Sequence, residues 1–259
     1  MFHFHGQLSS RLEALYLQRA ACQQAVCLVA IDRQGFGNSP PDPRFGLAEW
    51  PSAVRSIANQ LGIQRLGLIG VSAGAKYALA TALAVPELIE SVALASSFGQ
   101  LELPDSIATA APRVKFAVAL YRHAPPLGDA SSAVAGFLMR NGIEPILRLG
   151  RHVAPPSERR ILANEEILQI AAEILRSAAR QGSSGIMQEF RAIVQPWNLP
   201  LDQIRVPVTV WHGVEDAVAP IAMAEALAAS IPGARLHRVP AAGHVSLLVN
   251  HAPEILETA

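Results

Sequence analysis

One pentapeptide limits what this chain can fold into more than any other feature. Gly70-Val71-Ser72-Ala73-Gly74 is entered by the run Arg65-Leu66-Gly67-Leu68-Ile69 and left by a small-residue helical pattern, Ala73 to Ala84. A G-x-S-x-G at a strand-to-helix turn lifts one serine hydroxyl above a sheet. The serine backbone in such a turn is strained, and a side chain at either glycine position crowds it. Alone the pentapeptide is weak: with Gly and Ser each near ~7% of residues, roughly one chain in ten of this length holds a match by chance. A small-residue turn packing a helix close to a strand is the competing explanation. The strand before and the helix after favour Ser72 as a nucleophile, and the rest of the chain should then supply a base and an acid.

The segments around the turn repeat its alternation. Phe2 to His5 reads as a short strand ending at Gly6, and Ser9 or Ser10 caps a helix running to about Gln23. Ala25 to Ile31 is a continuous apolar run of the kind found in buried parallel strands. Trp50 to Leu61 reads as a helix closed by Gly62, Leu66 to Ile69 as a strand, and Ser91 to Ser96 as another. Strands alternating with helices imply an α/β fold, a mostly parallel sheet flanked by helices.

From about residue 101 to residue 200 no buried strand is evident. Helical segments are expected at Arg113 to Tyr121, Ser131 to Met139, Ser157 to Arg180 and Ser184 to Val194, separated by prolines at 104, 112, 125, 126, 145, 155 and 156. This reads as an all-helical cap insertion over 101–200, with 1–100 and 201–259 forming the core. A plain second structural domain is the alternative, but long insertions at strand C-termini usually cover a site. Its apolar side chains Phe116, Tyr121, Phe137, Met139 and Ile146 would line the site or form the cap's own core. Strand character returns at Val206 to Trp211 and at Arg235 to Val239, with a helix from Ala222 to Ile231 between them. Val245 to Leu256 reads as a closing helix with a break near Pro253.

Composition narrows the function classes. The 259 residues are 51% apolar and 16% charged, with zero formal net charge, which fits a large core. No basic cluster appears, so nucleic acid is not an expected partner. No apolar run approaches the ~18 residues of a membrane span. The N-terminus lacks the charged and apolar regions of a signal peptide, making a cytoplasmic location the expectation. Cys22 and Cys27 have no metal-ligand spacing and read as reduced packing residues; the eight histidines form no metal motif. Neither a metal nor another cofactor is expected.

A serine hydroxyl needs a histidine to take its proton and a carboxylate to hold that histidine's tautomer. Asp216 follows the strand Val206 to Trp211, and His244 follows the strand Arg235 to Val239. Strand C-termini of an open α/β sheet share one edge, where three distant residues can converge. Glu215 is an alternative acid, but the G-x-x-D-x-x-x-P spacing from Gly213 to Pro220 favours Asp216. His5 and His212, each before a glycine in a strand-end turn, read as structural.

These segments together resemble the α/β-hydrolase superfamily. The likeness rests on His5-Gly6, Asp32-Arg33-Gln34-Gly35-Phe36-Gly37-Asn38-Ser39, Gly70-Val71-Ser72-Ala73-Gly74, His212-Gly213-Val214-Glu215-Asp216 and Gly243-His244, in the expected order. It implies a Ser72–His244–Asp216 triad and an oxyanion hole from the N–H groups of Ala73 and Gln7, with Gly6 or Leu8 as alternatives to Gln7. Asp32 and Arg33 match a loop that is usually structural. A serine at the elbow, where carbon–halogen and epoxide hydrolases carry aspartate, implies acyl transfer. The expected activity is hydrolysis of a small, largely apolar ester or related acyl substrate through an acyl-enzyme. A ligand-binding protein without turnover, or a truncated, inactive relative, is the alternative.

One departure stands out. Only four residues precede His5, so the two strands that open the fold in its relatives are missing from this sequence. The superfamily's strand order then leaves Ala25 to Ile31 as a sheet edge. An apolar edge invites pairing, and the expectation is a homodimer along this edge or a marginally soluble protein.

Overall fold

The computed structural model describes residues 1–101 and 106–259. Six parallel strands form one sheet: β1 (Phe2–Phe4), β2 (Val29–Ile31), β3 (Leu66–Val71), β4 (Ile89–Ala95), β5 (Val208–Gly213) and β6 (Arg235–Val239). Their spatial order is β2-β1-β3-β4-β5-β6. β3 and β5 are buried at every residue, because helices cover both faces of a parallel sheet. Successive side chains alternate between the two cores. Leu66 and Leu68 of β3, with Val92 and Leu94 of β4, enter one; Ile69 and Val71, with Ala93 and Ala95, enter the other.

On the first face lie α2 (Trp50–Gln60), α3 (Gly74–Ala84) and α10 (Ile221–Ser230); on the second lie α1 (Leu15–Gln23), α11 (Ser246–Asn250) and α12 (Ala252–Glu257). Among the described residues six α-helices run between β4 and β5: α4 (Pro112–His123), α5 (Pro125–Asn141), α6 (Ile143–Gly150), α7 (Pro156–Leu162), α8 (Glu165–Ala178) and α9 (Ser184–Ile193). Among the described residues this insertion contains no strand. Pro104, expected to separate its first segments, lies outside the described residues. No helix of the described residues is long and apolar enough to cross a membrane.

α3 is buried from Gly74 through Ala82, which explains its small side chains. A Cβ on Gly70 would come 2.9 Å from the Ala78 Cβ, and one on Gly74 would come 2.1 Å from the Phe4 carbonyl oxygen. The obstacle at Gly74 is main chain of β1 and cannot rotate away. Gly74→Ala is therefore expected to destabilise the protein by about 3 kcal/mol, the upper range for overpacking. A lowered urea midpoint checks it; an unchanged midpoint would mean that α3 and β1 are not held this close.

The structure corrects several expectations. The edge strand is Val29–Ile31 rather than Ala25 to Ile31. Ala25 adopts φ 55° and closes α1: its N–H donates to the Cys22 carbonyl at 3.4 Å, and that of Val26 to the Ala21 carbonyl at 2.8 Å. This is the double bond of a left-handed helix C-cap, so Ala25 and Val26 end a helix instead of starting a strand. A short edge strand presents few unpaired backbone groups. Cys22 and Cys27 are exposed free thiols, not packing residues.

The expected helix from Ser157 to Arg180 is two helices. Asn164 Oδ1 accepts from Glu166 N at 2.9 Å and from Ile167 N at 3.4 Å, capping α8 and breaking the run. Pro145 does not separate helices; it sits in the first turn of α6, where its missing N–H costs nothing. The closing helix is interrupted at His251, just before Pro253, giving α11 and α12.

Candidate active site

β3 delivers Ser72 into the turn with φ 51°, the left-handed region a non-glycine residue rarely occupies. Neighbouring strands fix that conformation: Ser72 N donates to the Ala95 carbonyl at 2.9 Å, and the Ser72 carbonyl accepts from Ala75 N at 3.1 Å and Phe98 N at 3.2 Å. The side chain is 5% exposed and faces a cavity of ≈ 340 Å³. His244 lines the same cavity. Among the described residues no hydrogen bond joins the Ser72 hydroxyl to another side chain; such contacts are often loose until substrate is bound.

The loop after β5 places Asp216 with both oxygens engaged. Oδ1 accepts from Val218 N at 2.8 Å and Ala219 N at 2.9 Å, while Oδ2 lies 2.7 Å from His244 Nδ1. A carboxylate with no proton can only accept, so the His244 proton resides on Nδ1 and Nε2 keeps its lone pair. Burial pushes the Asp216 carboxyl upward, but the charge of His244 and the hydrogen bond outweigh it and hold it below the ordinary aspartate value of 3.8. Burial likewise pulls His244 down, and the Asp216 charge and hydrogen bond more than reverse this, leaving it above 6.5.

The linkage has opposite signs for the two partners. The stability contributed by the raised His244 is fully present below pH 6.5 and is lost as pH rises through its folded pKa. That contributed by the depressed Asp216 is present above pH 3.8 and is lost as pH falls through its folded value. A general base must be neutral, so the acid limb of kcat/KM is expected to have its midpoint above pH 6.5. A pH–rate profile with a midpoint below that value would show that the pair does not govern turnover.

Glu215, the alternative acid, points elsewhere: its carboxylate accepts from Ser157 N of α7 at 3.2 Å. His212 is structural, as its Nε2 meets the Ala219 carbonyl at 2.8 Å and burial holds its pKa down. His5 is buried too, its Nδ1 2.7 Å from the Gly6 carbonyl and its Nε2 accepting from Arg33 N at 3.2 Å. Asp32 braces its own loop, accepting from Arg11 N at 2.7 Å and Asn38 N at 3.0 Å.

The two residues whose N–H groups are expected to face an oxyanion lie beside Ser72 and on the cavity wall. Ala73 is the residue before α3, and Gln7 lines the cavity. No acceptor among the described residues engages either N–H. Of the alternatives, the Gly6 N–H is taken by the Glu13 carboxylate, at 3.0 and 3.3 Å, whereas Leu8, at φ 54°, also lines the cavity.

The cavity wall is apolar, from Leu8, Phe98, Val114, Val118, Phe190 and Ile193, with Arg113 beside them. None of the five cap residues read from the sequence is among its lining. Phe116, Phe137 and Ile146 are 65%, 58% and 44% exposed. Met139 packs with Ile143, Ala172 and Ile186 of the insertion and with Phe36, and Tyr121 stacks on Phe190 with ring centroids 5.0 Å apart. The face of α4 that does line the site, Val114, Ala117 and Val118, has helical i, i+3, i+4 spacing and was readable in the sequence.

Glu158 of α7 was not foreseen. Its Oε1 accepts from Val245 N at 3.0 Å, Ser246 N at 3.1 Å and the Ser246 hydroxyl at 3.1 Å, the residues that follow His244. Its charge also adds to the upward pull on the His244 pKa. Glu158 is thus a positioning residue that ties the helical insertion to the His244 loop. Glu158→Gln is expected to lower kcat by about tenfold, a cost typical of a small displacement in a reacting group, and to move the acid limb to lower pH. A merely structural role would lower stability and leave the limb where it was.

Comparison with known proteins adds the following. The model of the alpha/beta hydrolase family matches residues 1–258. A pimeloyl-[acyl-carrier protein] methyl ester esterase of Aromatoleum aromaticum is 34% identical over 128 residues, which is 48% of this chain and about half, 49%, of that relative. The enzyme of the same description from Neisseria meningitidis serogroup B (strain H44/76) is 27% identical over 229 residues, 86% of this chain and 77% of the relative. Among solved structures, an esterase from Exiguobacterium antarcticum superposes with TM-score 0.69 at 18% identity, covering 99% of this chain and 88% of that one.

Proposed function

The chain belongs to the alpha/beta hydrolase family, and from that premise we propose that it is a serine hydrolase cleaving a carboxylic ester with an apolar acyl chain. The observation that carries the reading is the 2.7 Å contact between His244 Nδ1 and Asp216 Oδ2, with His244 and Ser72 facing one apolar-walled cavity. The esterase names of its relatives support the reaction class.

In the proposed mechanism Ser72 Oγ attacks the ester carbonyl while His244 Nε2 takes its proton. The oxyanion is met by the N–H groups of Ala73 and Gln7, which together supply a few kcal/mol. Collapse expels the alcohol, protonated by His244, and leaves the acyl group on Ser72. Water, losing a proton to His244, then attacks the acyl-enzyme; the acid leaves and Ser72 regains its proton. The helices α4 and α9 act as a cap whose side chains hold the acyl chain and exclude water.

A series of p-nitrophenyl esters from acetate to octanoate tests this. The expected result is turnover that improves from acetate to the medium chains, as each buried methylene adds about 0.8 kcal/mol. No turnover of any ester by folded protein would favour the ligand-binding alternative.

A further inference from the structure

Away from the Ser72 site lies a second, smaller cavity that the proposed reaction does not use. It measures ≈ 70 Å³ and sits between α3, the start of α2 and α9, and the loop after β2. Lys76, Arg33, Trp50 and Glu189 line it, and it shares no lining residue with the Ser72 cavity. α9 divides the two, turning Glu189 and Ala192 to one and Phe190 and Ile193 to the other.

Lys76 is 3% exposed, yet no hydrogen bond or ion pair holds its ammonium among the described residues. Its Nζ stands 5.4 Å from the centroid of the Tyr77 ring. Lysine is rarely buried this far without a partner. Glu189 is the acid in the cavity wall, and its Oε2 is already spent on Arg33 Nη2 at 2.6 Å. Two cations against one carboxylate leave the cavity with an excess positive charge. Two further buried donors there lack partners, Trp50 Nε1 and Arg33 Nε, and the one acceptor left over is Glu189 Oε1. Donors without acceptors around an uncompensated cation describe the complement of an anion.

We propose that this cavity is a binding site for a small monocarboxylate of formate or acetate size, held by Lys76 and the Trp50 indole N–H. The ≈ 70 Å³ volume has room for a few water molecules, and so for a small carboxylate. The single excess charge matches a monoanion, and the Glu189 carboxylate in the wall opposes a dianion. The guest would link α2 and α3 of the core to α9 of the insertion.

Thermal unfolding of the whole protein in sodium acetate, against sodium chloride at equal ionic strength, tests the site. Acetate at about ten times its Kd is expected to raise Tm by about 3–5 °C beyond chloride, by mass action on the folded state. Lys76→Met and Trp50→Phe are each expected to weaken the acetate response at least tenfold in concentration. In parallel, acetate should perturb the tryptophan fluorescence of the wild type and not that of Trp50→Phe. Equal shifts in acetate and chloride, or an acetate shift unchanged in both variants, would overturn the proposal.

Discussion

Ser72→Ala is expected to leave a folded protein with essentially no ester hydrolysis, kcat falling about 10⁴- to 10⁶-fold as when the nucleophile of a serine-protease triad is removed. The fold should tolerate the change. The turn is held by backbone bonds from Ser72 to Ala95, Ala75 and Phe98, none of which involves the hydroxyl. Alanine meets the same φ of 51° with the same Cβ, so the strain is not relieved or increased. A Tm shift within about 2 °C fits a local change without lost packing. The residual rate should exceed the water rate, since the Ala73 and Gln7 donors remain. If hydrolysis survived the substitution, the reacting group would have to be sought elsewhere.

Asp216→Asn is expected to cost about 10⁴-fold in kcat, the size of effect seen when a triad aspartate becomes an amide. The local bonding explains why the isostere cannot stand in. Both oxygens of Asp216 act as acceptors, one for Val218 N and Ala219 N and the other for His244 Nδ1. Asparagine has one carbonyl oxygen. If that oxygen keeps the two backbone donors, the amide NH₂ faces Nδ1 and drives the His244 proton to Nε2, the wrong tautomer for a base. If the side chain flips to serve His244, two backbone N–H groups lose their acceptor in a buried loop. Either way the negative charge that raises His244 is gone, so the acid limb of kcat/KM should move to lower pH along with the loss in rate. A loss near tenfold with an unmoved limb would mean that Asp216 is only a loop brace.

The elements that place these residues were legible because their signals are local. β6 spans Arg235–Val239, the range the sequence reading gives, and Gly62 follows α2 with φ 68°, the conformation glycine supplies at a helix end. The elbow was readable because its glycines answer a steric demand within the same turn. Boundaries failed where a backbone bond overrode propensity. Ala25 looks like strand sequence, but its left-handed turn satisfies the last carbonyls of α1. Asn164, with Glu165 and Glu166 after it, carries a capping signal inside an otherwise continuous helical pattern.

The insertion was harder for a different reason. Apolar residues at helical spacing say that a helix buries a face, not what it buries that face against. Phe116 and Phe137 have the size of wall residues, yet they stand outside, while the smaller Val114 and Ala117 line the cavity with Ser72. Glu158 had no signal at all. Its role is created by the 87- and 88-residue separations to Val245 and Ser246, which only tertiary structure closes. Lys76 is similar: its position in α3 was plain, but its lack of a partner is a property of the packed molecule.

The most direct test of the account is to treat the folded protein with a fluorophosphonate, which captures an activated serine, and to map the adduct by peptide mass spectrometry. One stoichiometric adduct is expected, on Ser72, formed in wild type and absent from Ser72→Ala, with a labelling rate that climbs with pH through the raised His244 pKa. No adduct on folded protein, or an adduct on another residue, would contradict it.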